Sequence, residues 1–175
     1  MGKLSSLILN GDQVNKKLER IAFQIIEEYH NEKELFIVGI YNNGFLLAKK
    51  LKALIEKSNL ISQVKLIELK INKKQPLKSK VALNPETSFN NKKIILIDDV
   101  LNSGKTLMHA AAFLLSQDIK KMNTVVLVDR RHRNFPIKAD WVGLTLSTTV
   151  QEHINVEISI WIYQSKQKSS HDCYN

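Results

Sequence analysis

The chain of 175 residues has one cysteine, Cys173, set in a polar stretch near its C-terminal end. An internal disulfide framework and a cysteine-based zinc site are both excluded. No apolar run approaches the roughly 18 residues that span a bilayer, and Met1 to Leu9 is too short and too polar for a signal peptide. The expectation is a cytoplasmic protein with no membrane partner. His30, His109, His153 and His171 share no metal-ligand spacing and receive no role. Glycine is missing where two common phosphate loops require it. A Walker A loop needs glycine five residues before Gly104, where Asp99 stands, and a carboxylate there repels a nucleoside triphosphate. The Gly39–Gly44 segment lacks the middle glycine of a dinucleotide fingerprint, because Tyr41 occupies it. Acidic residues are also in deficit, 17 against 26 Lys and Arg, for a formal charge of +9 and a pI near 9.6. That excess points to anionic partners, phosphorylated metabolites or nucleic acid, without choosing between them.

What is present is globular material, 43% hydrophobic and 25% charged, of a length suited to one domain. Val14, Leu18, Ile21, Ala22, Ile25, Ile26 and Tyr29 repeat on one helix face, with Asp12 as the predicted N-cap. Leu35–Ile40 reads as a strand, followed by a Gly-bracketed loop and a helix carrying Phe45, Leu47, Ala48, Leu51, Leu54 and Ile55. Ile61–Ile71 reads as a second strand. Residues 72–92 then hold Pro76, Pro85 and several lysines without periodicity, which predicts a functional lid or a disordered insert. Ile94–Asp98 and Asn123–Val128 are continuous apolar strands on either side of a helical Gly104–Leu115. Such strands alternating with helices predict a mostly parallel sheet covered on both faces. Trp141–Leu146 and Val156–Tyr163 should flank the sheet, with Trp141 and Trp161 in or near the core. One α/β domain is therefore expected over 1–163, followed by a polar tail over 164–175.

The chemistry concentrates in Ile94-Ile95-Leu96-Ile97-Asp98-Asp99-Val100-Leu101-Asn102-Ser103-Gly104-Lys105-Thr106. A buried strand delivers two adjacent carboxylates at its C-terminal end, and the chain then turns directly into a helix. Ligands of open α/β sheets bind at this edge. The turn aims backbone N–H groups, a helix N-terminus and the hydroxyls of Ser103 and Thr106 at one spot, which suits a phosphate monoester. Asp98 and Asp99 would accept hydrogen bonds from diol hydroxyls or hold Mg²⁺ through oxygen ligands. Phosphate and acid together suggest a sugar phosphate.

Residues 94–107 resemble the phosphoribosyl pyrophosphate (PRPP) signature of type I phosphoribosyltransferases. The wider chain, over most of residues 7–147, is similar to the PyrR-like branch, uracil phosphoribosyltransferases that double as pyrimidine-operon regulators. Leu127-Val128-Asp129-Arg130-Arg131-His132-Arg133, Pro136-Ile137, Ala139-Asp140 and Val142-Gly143 carry that second likeness. The resemblance implies the type I phosphoribosyltransferase fold, central mostly parallel sheet, flanking helices and a flexible hood at about 71–92. It implies that Asp98 and Asp99 hold the ribose hydroxyls of PRPP, directly or through Mg²⁺. Asn102, Ser103, Gly104, Lys105 and Thr106 would wrap the 5-phosphate, while Ile40, Tyr41, Asn42, Asn43 and Gly44 would receive pyrophosphate. The hood would exclude water from an oxocarbenium-like ribose that otherwise hydrolyses. A homo-oligomer is implied as well.

Three departures bear on the substrate. Asn102 stands where 6-oxopurine enzymes carry an Asp general base, and an amide takes no proton at neutral pH. A purine phosphoribosyltransferase is thus ranked behind one for uracil. The branch commonly has an aromatic residue there, so Asn102 does not itself specify uracil. In the pyrophosphate loop, related regulators carry Arg and this chain has Tyr41-Asn42-Asn43, so Lys70, Lys73 or Lys74 would have to supply side-chain charge. Asp129, Arg130, Arg131, His132 and Arg133 form either a base or nucleotide loop or a solvated basic turn. The competing function is a UMP-responsive RNA-binding regulator. Where the regulators' first helix has a Thr-Arg pair and a following His, this chain has Glu19-Arg20 and Phe23, an acid and a non-donor facing phosphates. Eight lysines between Lys65 and Lys93 predict a basic lid that steers a polyanionic substrate.

Overall fold

The apolar runs read from the sequence divide by parity between two cores. Leu35, Ile37, Ile95, Ile97, Val125 and Leu127 pack on one side, while Phe36, Val38, Ile40, Ile94, Leu96 and Val126 pack on the other. Successive strand residues point to opposite faces, so runs without polar interruption bury both. A computed structural model describes residues 8–72 and 81–147 and places these strands in one sheet between two helical layers.

In chain order the elements are α1 (Gly11–Tyr29), β1 (Glu34–Ile40), α2 (Asn43–Glu56), β2 (Gln63–Lys70), β3 (Ala82–Asn84), β4 (Lys93–Leu101), α3 (Lys105–Leu114), β5 (Lys121–Asp129) and β6 (Trp141–Thr145). Among the described residues the sheet order is β3-β2-β1-β4-β5-β6, and only the short edge strand β3 runs antiparallel. Helices α1 and α2 supply Leu18, Ile21, Ile25, Leu47 and Leu51 to the first core. Helix α3 supplies Leu107, Ala110 and Leu114 to the second. Trp141 packs against the first core and meets the Tyr29 ring edge-on with centroids 6.4 Å apart. The expected segment Val156–Tyr163, Trp161 and the tail lie outside the described residues, as do residues 73–80 within the expected hood.

Two local expectations are corrected. The N-cap of α1 is Asn10 rather than Asp12: its side chain accepts from the Gln13 N–H and the Gln13 side chain accepts from the Asn10 N–H, both at 2.9 Å. That reciprocal pair is a capping box. Asn10→Ala is expected to cost about 1 kcal/mol, read as a lower midpoint in chemical denaturation. The second correction concerns the end of the aperiodic stretch. Ala82–Asn84 pairs with Glu68–Lys70, and Phe89 is fully buried against Phe36, ring centroids 5.5 Å apart. Residues 82–92 are therefore part of the packed fold, anchored by an aromatic residue that lone hydrophobicity in a polar context does not reveal.

Candidate functional site

The winding of the sheet fixes where a ligand can sit. From β1 the chain moves outward to β2, whereas from its other neighbour, β4, it moves the opposite way through β5 to β6. Between the C-terminal ends of β1 and β4 the two connections diverge and leave a crevice, the usual ligand position in open α/β sheets. The loop 41–42 after β1 and the turn 102–104 after β4 form its walls.

Each wall ends in a helix N-terminus, whose first N–H groups lack intrahelical acceptors. The N-cap residues of α2 and α3, Asn42 and Gly104, make no side-chain capping bond, whereas α1, which does not open on this crevice, carries a complete capping box. Neither α2 nor α3 has an acid in its first turn. Apart from the Lys105 N–H, which donates to Ser103 Oγ at 3.3 Å, both termini thus keep donors and positive dipole ends for an anion. The Tyr41–Asn42 peptide is cis, and the Tyr41 N–H donates to the Leu69 carbonyl at 2.9 Å, tying the first wall to the end of β2.

Asp98 and Asp99 stand between these termini and are 3% and 8% exposed. The Asp99 N–H donates to Asp98 Oδ1 at 3.0 Å, and Asn43 Nδ2 donates to Asp99 Oδ2 at 3.0 Å. Asn43 thereby links the two walls, a connection spacing did not foretell. Gly44 makes the approach sterically feasible, since a Cβ there would sit 2.8 Å from the Ile97 carbonyl oxygen and 2.9 Å from Asp98 Cα. Gly104 adopts φ +86°, a left-handed conformation that glycine allows without penalty, and a Cβ there would meet Ile137 Cγ2 at 2.8 Å.

The segment after β5 folds back on the turn 102–104. Asn134 and Phe135 both donate their N–H groups to the Ser103 carbonyl, at 2.9 and 3.1 Å, and Arg130 donates its N–H to the Leu101 carbonyl at 3.0 Å. Asp129 Oδ1 accepts from the Arg131 N–H at 2.9 Å while Oδ2 pairs with Arg133. Asp129 and Arg130 are each 5% exposed, and Arg130 Nη1 donates to Asn102 Oδ1 at 3.2 Å. The solvated-turn reading therefore does not hold for Arg130 or Arg133. Arg131 is exposed and His132 half-buried. Beside this junction a cleft of about 640 Å³ is lined by Arg133, Asn134, Phe135, Pro136, Ile137 and Lys138. Pro136-Ile137 belongs to the family likeness, but no sequence pattern beyond Arg133 marks this segment as a site.

The expectation of a basic lid is corrected for Lys65, Lys92 and Lys93. Lys93 begins β4, about 16 Å of strand before Asp98 at the usual rise per residue. Lys65 and Lys92 both bind Glu34, and Lys93 binds Glu32, all toward the strand starts. Hydrogen bonds from Lys65, then Lys92, hold the Glu34 carboxyl below its ordinary range. Glu34, Lys65 and Lys92 line a second cavity of about 400 Å³, remote from the carboxylates. These three lysines do not cover the crevice. Lys70 lies near its rim at the end of β2, 3.5 Å from Glu68, while Lys73, Lys74, Lys78 and Lys80 fall outside the described residues. Among the described residues, no group of three or more His, Cys, Asp or Glu is placed to hold a metal ion, and no helix is long and apolar enough to cross a membrane.

Two helix N-termini flanking a pair of buried carboxylates can receive a ligand that carries anions at separated positions and hydroxyls between them. Comparison with known proteins agrees with that demand. Residues 6–161 match the phosphoribosyl transferase domain family. The bifunctional protein PyrR of Clostridium kluyveri is 35% identical over 163 residues, 90% of this chain and 92% of its own length. The bifunctional protein PyrR of Elusimicrobium minutum is 34% identical, over 89% of this chain and 90% of its own. Among solved structures, a hypoxanthine phosphoribosyltransferase of Staphylococcus aureus superposes with a TM-score of 0.69 at 21% identity, covering 82% of this chain and 78% of that one. One of Trypanosoma cruzi reaches 0.71 at 18%, covering 83% and 80%. At those identities the likeness shows the fold alone. The chain belongs to the phosphoribosyl transferase domain family, as a PyrR-like type I phosphoribosyltransferase that moves a phosphoribosyl group from PRPP.

Proposed function

We propose that the acceptor is uracil, giving the mononucleotide and pyrophosphate, with Asp98 and Asp99 at the ribose and the α3 turn at the 5-phosphate. The observation that carries the assignment of roles is the pair of helix N-termini, neither with a side-chain bond from its N-cap residue, on either side of two buried carboxylates. Asn102, Ser103, Gly104, Lys105 and Thr106 hold the 5-phosphate through the backbone and hydroxyl donors of the α3 terminus. Ile40, Tyr41, Asn42, Asn43 and Gly44 form the pyrophosphate wall, where the α2 terminus replaces the arginine charge that this loop lacks. Reaction breaks the bond from C1 to pyrophosphate and forms one from C1 to the base nitrogen, whose proton leaves to solvent. Positive charge that develops on the ribose lies beside the carboxylates.

Mg²⁺ suits this donor set. Two carboxylates supply hard oxygen ligands, and Mg²⁺ is commonly held by one or two carboxylates together with substrate phosphates rather than by a protein cage. Asp98 and Asp99 would hold it, and when bound it offsets charge growing on pyrophosphate.

The cleft beside the α3 turn is the proposed seat of the base, since Phe135, Pro136 and Ile137 give it apolar lining. Asn102 offers no carboxylate to a purine, which favours a pyrimidine. RNA binding ranks lower because Arg20 is committed within the fold, donating to the carbonyls of Val142 and Gly143 at 2.7 and 3.2 Å. The neighbouring Phe23 is 70% exposed and brings no donor.

Pyrophosphate release from PRPP and Mg²⁺, measured with uracil, hypoxanthine, guanine, xanthine and adenine in turn, tests the reading. Uracil is expected to give the highest kcat/KM. A faster purine would overturn the choice of base, and no release with any of them would leave a binding or regulatory protein.

A further inference from the structure

We infer that Arg130 is a positioning residue that orients the Asn102 amide, so that Asn102 presents a hydrogen-bond donor to the incoming base and the site selects a base carrying an acceptor there. This deepens the uracil reading and rests on it. The chemistry begins with the guanidinium, which donates and never accepts. An amide facing it at 3.2 Å must turn Oδ1 toward Arg130, which removes the usual ambiguity between amide oxygen and nitrogen. Asn102 Nδ2 then lies on the other side of the amide, away from Arg130.

The frame behind this contact is stiff. Arg130 is 5% exposed, its backbone N–H is held by the Leu101 carbonyl, and Leu101 is itself the register partner of Asp129. Asp129 fixes the next residues through the Arg131 N–H and the Arg133 guanidinium. Asn102 by contrast is exposed, at the rim between the two carboxylates and the cleft of Phe135 and Ile137. A buried cation therefore presets an exposed amide at the place where ribose and base regions meet.

Two consequences define the substrate class. A donor at Asn102 favours a ligand atom with an available lone pair, such as a carbonyl oxygen, over an amino group. Neither an amide nor a guanidinium takes the proton that the base must lose. The site thus suits heterocycles whose reacting N–H is acidified by conjugated carbonyls, and the Arg130 charge behind the amide favours their anionic form.

Steady-state kinetics on the full chain, varying uracil and PRPP separately, test the pairing. Asn102→Ala, which keeps the backbone N–H groups through which this turn is proposed to hold the 5-phosphate, and Arg130→Met are each expected to raise the KM for uracil about tenfold and to leave the KM for PRPP within about twofold. Arg130→Lys, which keeps a charged donor, should recover most of the loss. The double variant should be no worse than the poorer single one, as for two residues acting as a unit. If wild type uses uracil and Asn102→Ala matches it, the inference fails while the uracil reading stands. A rise in both KM values for Arg130→Met, without rescue by lysine, would assign Arg130 a structural role and overturn the inference. If wild type uses no base, both fall together.

Discussion

Replacing Asp98 and Asp99 together by asparagine is expected to lower kcat/KM for PRPP by at least about a thousandfold, while the folded protein melts within a few degrees of wild type. The two halves of this result have separate physical origins. Asparagine has nearly the shape of aspartate and retains an acceptor oxygen. The bond from the residue 99 N–H to position 98 can therefore survive, as can the bond from Asn43 Nδ2 to position 99. What disappears is two buried negative charges. Asparagine fills the same buried positions, 3% and 8% exposed, and keeps both of these bonds, so the fold is expected to persist without the two charges. Their loss removes the groups that stabilise positive charge on the ribose, and with them the oxygen donors suited to Mg²⁺. Pyrophosphate release and thermal denaturation on the same preparation separate the two effects. Turnover within tenfold of wild type would overturn the assigned roles.

The sequence was most legible where burial is two-sided and continuous. Ile94–Asp98 and Asn123–Val128 read as covered parallel strands because Ile94–Ile97 and Val125–Val128 run without a polar residue on either face, and β4 and β5 follow that reading. Asp98 and Asp99 stood out for the complementary reason, as acids appended to such a strand. Contacts made by irregular backbone were not legible. The strand Ala82–Asn84 has three residues, too few for a period, and Phe89 is a single aromatic in a polar stretch. The bonds from Asn134 and Phe135 to Ser103 join segments about thirty positions apart, which no local pattern encodes. Lys65, Lys92 and Lys93 lie away from the carboxylates because a run of like charge says nothing about which end of a strand it occupies. Lys93 and Asp98 share β4, yet the strand separates them by most of its length. The capping box was present as Asn10-Gly11-Asp12-Gln13, and giving weight to glutamine at the third helical position would have chosen Asn10 over Asp12.

Gly44→Ala carries the second large expected effect, because helix propensity and packing predict opposite signs. Gly44 lies in the first turn of α2, and in a helix alanine is intrinsically favoured over glycine by about 1 kcal/mol. The added methyl would lie 2.8 Å from the Ile97 carbonyl oxygen, 2.9 Å from Asp98 Cα and 3.1 Å from Asp98 Oδ1. Two of these are backbone atoms of β4, whose pairing on both sides prevents them from yielding. Helix α2 must move instead, against a core in which Leu47, Ala48 and Leu51 are fully buried. Overpacking of this kind costs about 1 to 3 kcal/mol, so the net effect is a loss of stability. Movement of α2 also withdraws its N-terminus and the Asn43 amide from Asp99, and the KM for PRPP should rise about tenfold along with the lost hydrogen bonds. Gly11→Ala in α1 is the matched control, because a Cβ there meets nothing within 4 Å. That variant should melt at or slightly above wild type with unchanged kinetics. A Gly44→Ala protein that behaves the same way would show that close approach of α2 to β4 does not set the geometry of the carboxylates.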